Sequence, residues 1–310
     1  MKKKNIFLAG HKGLAGSAVL RLLKIKKKKY NVLTKSKEQL DLTDQRKVYK
    51  FFKNNKIDSV ILCAAKVGGI LANSKHGGEF IFNNLAIQNN IFEAAKINHI
   101  KNLIFLGSSC IYPKFAKQPI KEDYLLTGKL EESNEPYGIA KIAGVKMCEA
   151  YNKQFSTNFK CLMPCNLFGQ NDNYDEKNSH FFPALIKKIY KAKKNKKNYI
   201  ELWGTGKAKR EVMHSDDLAD ACLFFLEKKT KHYLINIGSG IEHTILDYAK
   251  IIMKKFDLKL KIKFSGPKID GTPRKLLNTK LAKKYGWKSK INLDKSLDIT
   301  INDFIKNETL

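Results

Sequence analysis

Asn5-Ile6-Phe7-Leu8-Ala9-Gly10-His11-Lys12-Gly13-Leu14-Ala15-Gly16 joins a short apolar run to a glycine-rich turn, and an apolar-periodic segment continues to about Leu23. The run reads as a buried strand and the periodic segment as a helix. Glycines between a strand and a helix let main-chain N–H groups approach a diphosphate at the helix N-terminus. The spacing here is Gly-x-x-Gly-x-x-Gly, and it predicts a dinucleotide turn formed by Gly10, His11, Lys12, Gly13, Leu14, Ala15 and Gly16. The bland alternative is a glycine turn with no ligand, which the flanking strand and helix disfavour.

Working outward, a second strand at Tyr30 to Leu33 ends without the acidic residue that would hold an NAD ribose hydroxyl. Lys12, Lys35 and Lys37 lie where a 2′-phosphate could be met, which favours NADP over NAD. Asp41-Leu42-Thr43-Asp44 opens the next helix; Asp41 or Thr43 caps it, or Asp41 touches adenine. Ser59 to Ala65 is another buried strand, followed by a functional-looking loop, Lys66-Val67-Gly68-Gly69-Ile70. A long helix from about Gly78 to Asn98 contains Asn84 and Asn90, and the strand Leu103 to Gly107 runs into Ser108-Ser109-Cys110-Ile111-Tyr112-Pro113. This alternation predicts an α/β fold, a doubly wound parallel Rossmann sheet. Ligands of such sheets sit at the carboxyl ends of the strands, where Ser108 and Cys110 fall.

Asn134-Glu135-Pro136-Tyr137-Gly138-Ile139-Ala140-Lys141 has a proline suited to a helix's first turn. Tyr137 and Lys141 are four apart and therefore share a helix face. A free phenol, with a pKa of about 10, is a poor proton donor-acceptor at neutral pH. A neighbouring ammonium favours phenolate, which makes Tyr137 a candidate general acid-base group. Tyr-x-x-x-Lys alone is weak in a lysine-rich chain; it gains meaning from the glycine turn and from Ser108 upstream.

Phe159 to Met163 gives a further strand, ending in Pro164-Cys165-Asn166-Leu167-Phe168-Gly169. Beyond Leu167 the pattern becomes irregular: a polar loop from Asp172 to His180, an amphipathic helix from Phe182 to Lys193, and a short strand at Tyr199 to Trp203. Residues 1–167 with about 211–240 are expected to form the nucleotide-binding domain. About 168–210 with 241–310 are expected to form a second, smaller α/β substrate-binding lobe. Asp216-Asp217-Leu218 is expected to cap the helix that runs through Leu226.

The formal charge is +30, but only Arg21, Arg46, Arg210 and Arg274 among 59 basic residues are arginine. Readers of nucleic-acid sequence favour arginine for bidentate base contacts, and the lysines here are spread along the whole chain. No nucleic-acid partner is expected; the field instead suits anionic, phosphate-bearing ligands. The six cysteines show no Cys-x-x-Cys spacing and no accompanying histidine cluster, so no metal site is expected. Most read as buried apolar thiols of a reducing compartment. No apolar stretch approaches the ~20 residues of a membrane span, so a cytoplasmic protein without a membrane partner is expected.

Taken together, Gly10 to Gly16, Ala64 to Ile70, Leu106 to Pro113, Asn134 to Lys141, Arg210-Glu211, Asn178-Ser179-His180 and Asp270 to Leu277 resemble the GDP-L-fucose synthases, a branch of the extended short-chain dehydrogenase/reductases. The likeness covers essentially the whole chain. It implies an NADP(H)-dependent conversion of GDP-4-keto-6-deoxy-D-mannose: epimerisation at C3 and C5, then reduction at C4. The family's triad falls on Ser108, Tyr137 and Lys141, and its epimerisation pair on Cys110 and His180. Cofactor contacts would fall on the glycine turn, Lys35, Asp41, Leu106, Gly107, Ser108, Ser109, Lys141, Pro164, Cys165, Asn166, Leu167 and His180. Contacts to the GDP-sugar would fall on Lys188, Trp203, Arg210 and Asp270. A homodimer is implied, through a helix bundle that contains the Tyr137 helix. Cys165 departs from the family, where a threonine is expected; Gly138 stands where alanine is common and reads as neutral.

The implied chemistry is coherent. A C4 ketone acidifies the protons at C3 and C5, and Ser108 and Tyr137 could hydrogen-bond the enolate oxygen. Inversion removes a proton from one face and returns one to the other, so two groups on opposite sides are wanted; a thiol and an imidazole qualify. Cys110 is expected as base and His180 as acid. Two rival readings remain. One is a C4-reductase of a related GDP-4-keto sugar, such as a 6-deoxyheptose, without epimerisation. The other is a non-catalytic dinucleotide-sensing or nucleic-acid-binding Rossmann protein, which retention of both Tyr137 and Lys141 disfavours.

Overall fold

The structure, a computed structural model, describes residues 2–175, 179–265 and 272–308. In chain order, the first half comprises β1 (Lys4–Ala9), α1 (Leu14–Ile25), β2 (Tyr30–Leu33), α2 (Gln45–Asn54), β3 (Ser59–Leu62), α3 (Ile70–Lys75), α4 (Gly77–Ile97), β4 (Asn102–Leu106), α5 (Glu135–Phe155) and β5 (Asn158–Pro164). The second half comprises β6 (Asn166–Phe168), α6 (Phe181–Lys194), β7 (Tyr199–Trp203), β8 (Lys209–His214), α7 (Ser215–Glu227), β9 (Leu234–Ile237), β10 (Glu242–Thr244), α8 (Ile245–Lys255), β11 (Lys261–Ser265), β12 (Arg274–Lys275), α9 (Lys280–Lys284) and α10 (Leu293–Glu308).

Six parallel strands form the main sheet in the order β2-β1-β3-β4-β5-β9. Its central strands carry unbroken apolar runs (Ile6, Phe7, Leu8 on β1; Val60, Ile61, Leu62 on β3; Leu103, Ile104, Phe105 on β4) because helices cover both faces. The chain reverses its direction of travel across the sheet between β1 and β3, and a crevice opens there at the carboxyl ends. A second apolar core gathers Phe168, Phe182, Ile186, Tyr248, Ile252 and Phe304 from α6, α8, α10 and their neighbours. Among the described residues no helix is long and apolar enough to cross a membrane.

Four expectations need correction. The segment from Glu211 to Ile237 reads from its sequence as a return to the large sheet, but β8 instead pairs with β10, β12 and β6 in a smaller one. Val212 joins the second core and Met213 the first, because alternate side chains of a strand leave opposite faces. The loop after Ala65 is not wholly irregular, since α3 begins at Ile70. Asp217 does not cap α7: His214 Nδ1 accepts from the Asp216 amide, while the Asp217 carboxylate accepts from Ser289 Oγ and the amides of Lys290 and Ile291. Likewise Asp44, not Asp41 or Thr43, caps α2, accepting from the Lys47 amide.

Candidate active site

The glycine turn is built by backbone sterics. Gly10 has φ +86°, and a Cβ there would stand 2.5 Å from the Ala64 nitrogen. A Cβ at Gly16 would press on the Gly10 carbonyl oxygen, so this glycine lets α1 pack against the end of β1. Gly13 differs. A Cβ there would meet no closer protein atom than that carbonyl oxygen at 3.8 Å and would stand in the cleft. Gly13 is also the N-cap of α1, with no side-chain cap and no acidic residue in the first turn. Open helix amides beside a wall kept bare suit a diphosphate.

The cleft encloses about 1780 Å³. Its lining brings together Gly10, Lys12, Gly13, Leu14, Ala15, Gly16, Lys35, Lys37 and Asp41 from the nucleotide end, and Leu106, Gly107, Ser108, Ser109, Cys110, Tyr137 and Lys141 from its centre. Pro164, Cys165, Asn166, Leu167 and His180 line it further along, with Lys188, Trp203 and Arg210 on the side of the second apolar core. His11 is the exception: it lies outside this lining, and its buried Nδ1 has no hydrogen-bond partner among the described residues. Asp270 lies outside the described residues.

Two asparagines of α4 shape the nucleotide end. Asn84 Oδ1 accepts from the Lys66 amide while Nδ2 donates to the Lys66 carbonyl, fixing the loop after β3. Asn90 donates to the Leu42 carbonyl, next to Asp41. Asp41 itself accepts from the amide and hydroxyl of Thr43, which hold its carboxyl below the usual range.

At the centre, Lys141 is buried, and its Nζ donates to the Leu106 carbonyl at 2.9 Å and lies 5.7 Å from the centroid of the Tyr137 ring. Burial lowers its pKa to about 8. Tyr137 behaves differently from the sequence expectation. Burial raises its phenol above the ordinary value, the nearby Cys110 adds to this, and the Ser108 hydroxyl acts in the opposite direction. The Lys141 ammonium is turned to a main-chain carbonyl, so it is not what sets the phenol's acidity here.

Ser108 caps a short turn, its Oγ accepting from the Cys110 amide at 3.4 Å. Cys110 Sγ accepts from Asn134 Nδ2 at 3.4 Å and from Lys275 Nζ at 3.8 Å. Gly138 is less neutral than expected: a Cβ there would lie 3.0 Å from Leu130 Cδ1 and 3.1 Å from the Cys110 carbonyl oxygen. Its lack of a side chain lets α5 approach the cysteine turn. His180 is the N-cap of α6; it opens to the cleft, yet the enclosing walls hold its imidazole below the usual pKa. Neutral imidazole also suits the positive end of a helix.

Beside the second apolar core, Lys188 Nζ donates to the Glu201 carbonyl and lies 5.6 Å from the Trp203 ring centroid. Trp203 is 61% exposed, so it is no core aromatic. Arg210 Nη1 donates to the Lys209 carbonyl. Cys165 is buried and turns its thiol to the Asn166 carbonyl, while its amide pairs with Ile237. Sequence reasoning gave no role to Asn134 or Lys275. Asn134 carried no signal beyond its place beside the tyrosine, and one lysine among so many is indistinct.

A six-stranded parallel sheet, a glycine-walled crevice and a tyrosine-lysine pair at its centre define a dinucleotide-dependent enzyme of Rossmann type. The chain belongs to the NAD dependent epimerase/dehydratase family, whose model matches residues 6–238. It is 46% identical over 307 residues to a putative GDP-L-fucose synthase of Arabidopsis thaliana, covering 99% of this chain and 93% of that one. It is 42% identical over 317 residues to the GDP-L-fucose synthase of Escherichia coli, covering 99% and 98%. Among solved structures it resembles a GDP-mannoheptose C4 reductase from Campylobacter jejuni with NADP bound, at 35% identity and TM-score 0.88, covering 98% of this chain and 99% of that one.

Proposed function

We propose that this chain is an NADPH-dependent GDP-L-fucose synthase, epimerising GDP-4-keto-6-deoxy-D-mannose at C3 and C5 and reducing it at C4. The observation that carries this reading is the joint lining of one cleft by Ser108, Cys110, Tyr137, Lys141 and His180 beside the Gly13 turn. Full-length likeness to GDP-L-fucose synthases supports it.

Gly10 to Gly16 would hold the cofactor's diphosphate, and Lys12, Lys35 and Lys37 would meet a 2′-phosphate. NADPH, when bound, supplies the hydride that reduces C4. The protein's own groups do the rest. Ser108 and Tyr137 donate hydrogen bonds to the sugar's C4 oxygen, stabilising the enolate formed when a proton leaves C3 or C5. Cys110 removes that proton and His180 returns one to the opposite face. Tyr137 protonates the C4 oxygen during reduction, and Lys141 keeps a positive charge beneath its ring. Lys188, Trp203 and Arg210 bind the GDP moiety, Arg210 by bidentate pairing with its diphosphate; Asp270 is proposed as a further contact.

A homodimer in the cytoplasm completes the proposal. Phe82 on α4 and Ile139 on α5 are 68% and 41% exposed, an apolar pair of sites on adjacent helices that a second copy would cover. Among the cysteines all six are free thiols, in keeping with a reducing compartment.

A second reading, C4 reduction of a GDP-4-keto-heptose without inversion, draws on the likeness to the Campylobacter jejuni reductase. Incubating the protein with NADPH and GDP-4-keto-6-deoxymannose separates the two. Cofactor oxidation with a fucose-configured product supports the first and reduction without inversion supports the second; absence of any turnover removes the first, and a parallel incubation with a GDP-4-keto-6-deoxyheptose that also gives none removes the second.

A further inference from the structure

Lys275 belongs to a stretch remote in sequence from the cysteine turn, yet the fold clamps it there from several sides. As part of β12, Arg274 and Lys275 pair with Lys209 and Arg210 of β8. The next amide, Leu276, donates to Gln118 Oε1, and the Ile120 amide donates to the Leu276 carbonyl. The Leu277 amide donates to Glu211 Oε2 at 2.8 Å, inside the protein. Glu211 is wholly buried, and its other oxygen accepts from the Gly240 amide. The half-buried Lys275 side chain emerges from this clamp to end 3.8 Å from Cys110 Sγ.

The sulfur therefore receives N–H groups from two sides, Asn134 Nδ2 and Lys275 Nζ. A neutral thiol is a weak acceptor. Two converging donors, one of them cationic, match a thiolate far better. We infer that Lys275 is a positioning residue for epimerisation, holding negative charge on the Cys110 sulfur so that it can take a sugar proton. This rests on the proposed role of Cys110 as base. Asn134 fixes where the sulfur points, and Lys275 supplies the charge. The clamp around β12 explains how a flexible lysine is kept at one distance.

The test is iodoacetamide alkylation at pH 7, followed at the Cys110 peptide by mass spectrometry. Cys148, Cys161, Cys165 and Cys222 are buried and do not compete. Lys275→Met and Lys275→Gln are expected to slow Cys110 alkylation about tenfold, while Lys275→Arg retains most of the rate. All three are compared at unchanged unfolding midpoints and NADPH affinity. An unchanged alkylation rate in the two neutral variants overturns the inference. So does an equal loss in Lys275→Arg, which would mean that only the packing of β12 matters, or a raised KM for the GDP-sugar with alkylation unaltered. Slowed alkylation with undiminished deuterium exchange at C3 and C5 would uphold the charge on the sulfur and instead remove Cys110 from the reaction.

Discussion

The ammonium of Lys141 lies 5.7 Å from the centroid of the Tyr137 ring and donates to the carbonyl of Leu106, the last residue of β4. One helical turn of α5 aligns the two side chains; the carboxyl end of β4 then decides where the cation is held. Burial lowers the lysine's pKa to about 8 and raises the phenol's. The pair is therefore a neutral phenol above a cation close to its titration point.

That relation sets a pH dependence. Lys141 is charged below about pH 8 and loses its charge as pH rises through that value. The rate of C4 reduction under saturating NADPH should fall across the same interval. Lys141→Met should flatten this limb and lower the rate, and Tyr137→Phe should lower it by ~10²- to 10⁴-fold, the usual yield of positioned proton transfer. Stopped-flow rates from pH 6 to 9.5 provide the check; an unchanged alkaline limb in Lys141→Met would assign it to another group.

The glycine turn separates folding from binding. Gly16→Ala should destabilise the fold by about 1–3 kcal/mol, because the intruded neighbour is the Gly10 main chain and cannot rotate away. Gly13→Ala should leave the urea midpoint nearly unchanged yet weaken NADPH binding at least several-fold. Fluorescence titration of NADPH alongside urea melts distinguishes the two effects.

Cys110→Ser should spare reduction while slowing deuterium incorporation at C3 and C5 by at least an order of magnitude, since a hydroxyl is a far weaker base than a thiolate. NMR of the sugar in deuterated water reads both. Unchanged exchange would take Cys110 out of the epimerisation.

Lys160, on β5, is 1% exposed, donates to Asn158 Oδ1 at 2.7 Å, and is held at a pKa of about 8 by burial. A lysine whose folded pKa is depressed carries a penalty below about pH 8, and that penalty fades as pH rises toward its unfolded value of 10.5. Lys160→Met should therefore be as stable as the parent, or more so, at pH 7, and lose up to ~3 kcal/mol of that relative advantage by pH 10. Paired urea melts at the two pH values would show it; a pH-independent difference would contradict it.

Much of this protein was legible in its sequence because the relevant signals are local. Apolar runs broken by glycine give β1 and the turn at Gly10 to Gly16, and the four-residue spacing of Tyr137 and Lys141 fixes their common helix face. Local signals also misled where a neighbour far along the chain decided the outcome. Asp217 looked like a helix cap but braces the segment at Ser289 to Ile291, and β8 looked like part of the large sheet but pairs with β10 and β12.

Tertiary structure alone decided the electrostatics. The pKa of Tyr137 follows from how deeply α5 seats against the cysteine turn, an approach that depends on the missing side chain of Gly138. The nearness of Lys275 to Cys110 follows from parallel pairing between strands some sixty residues apart, clamped by the buried Glu211. Charge and burial act through space, and a sequence orders residues only along the chain.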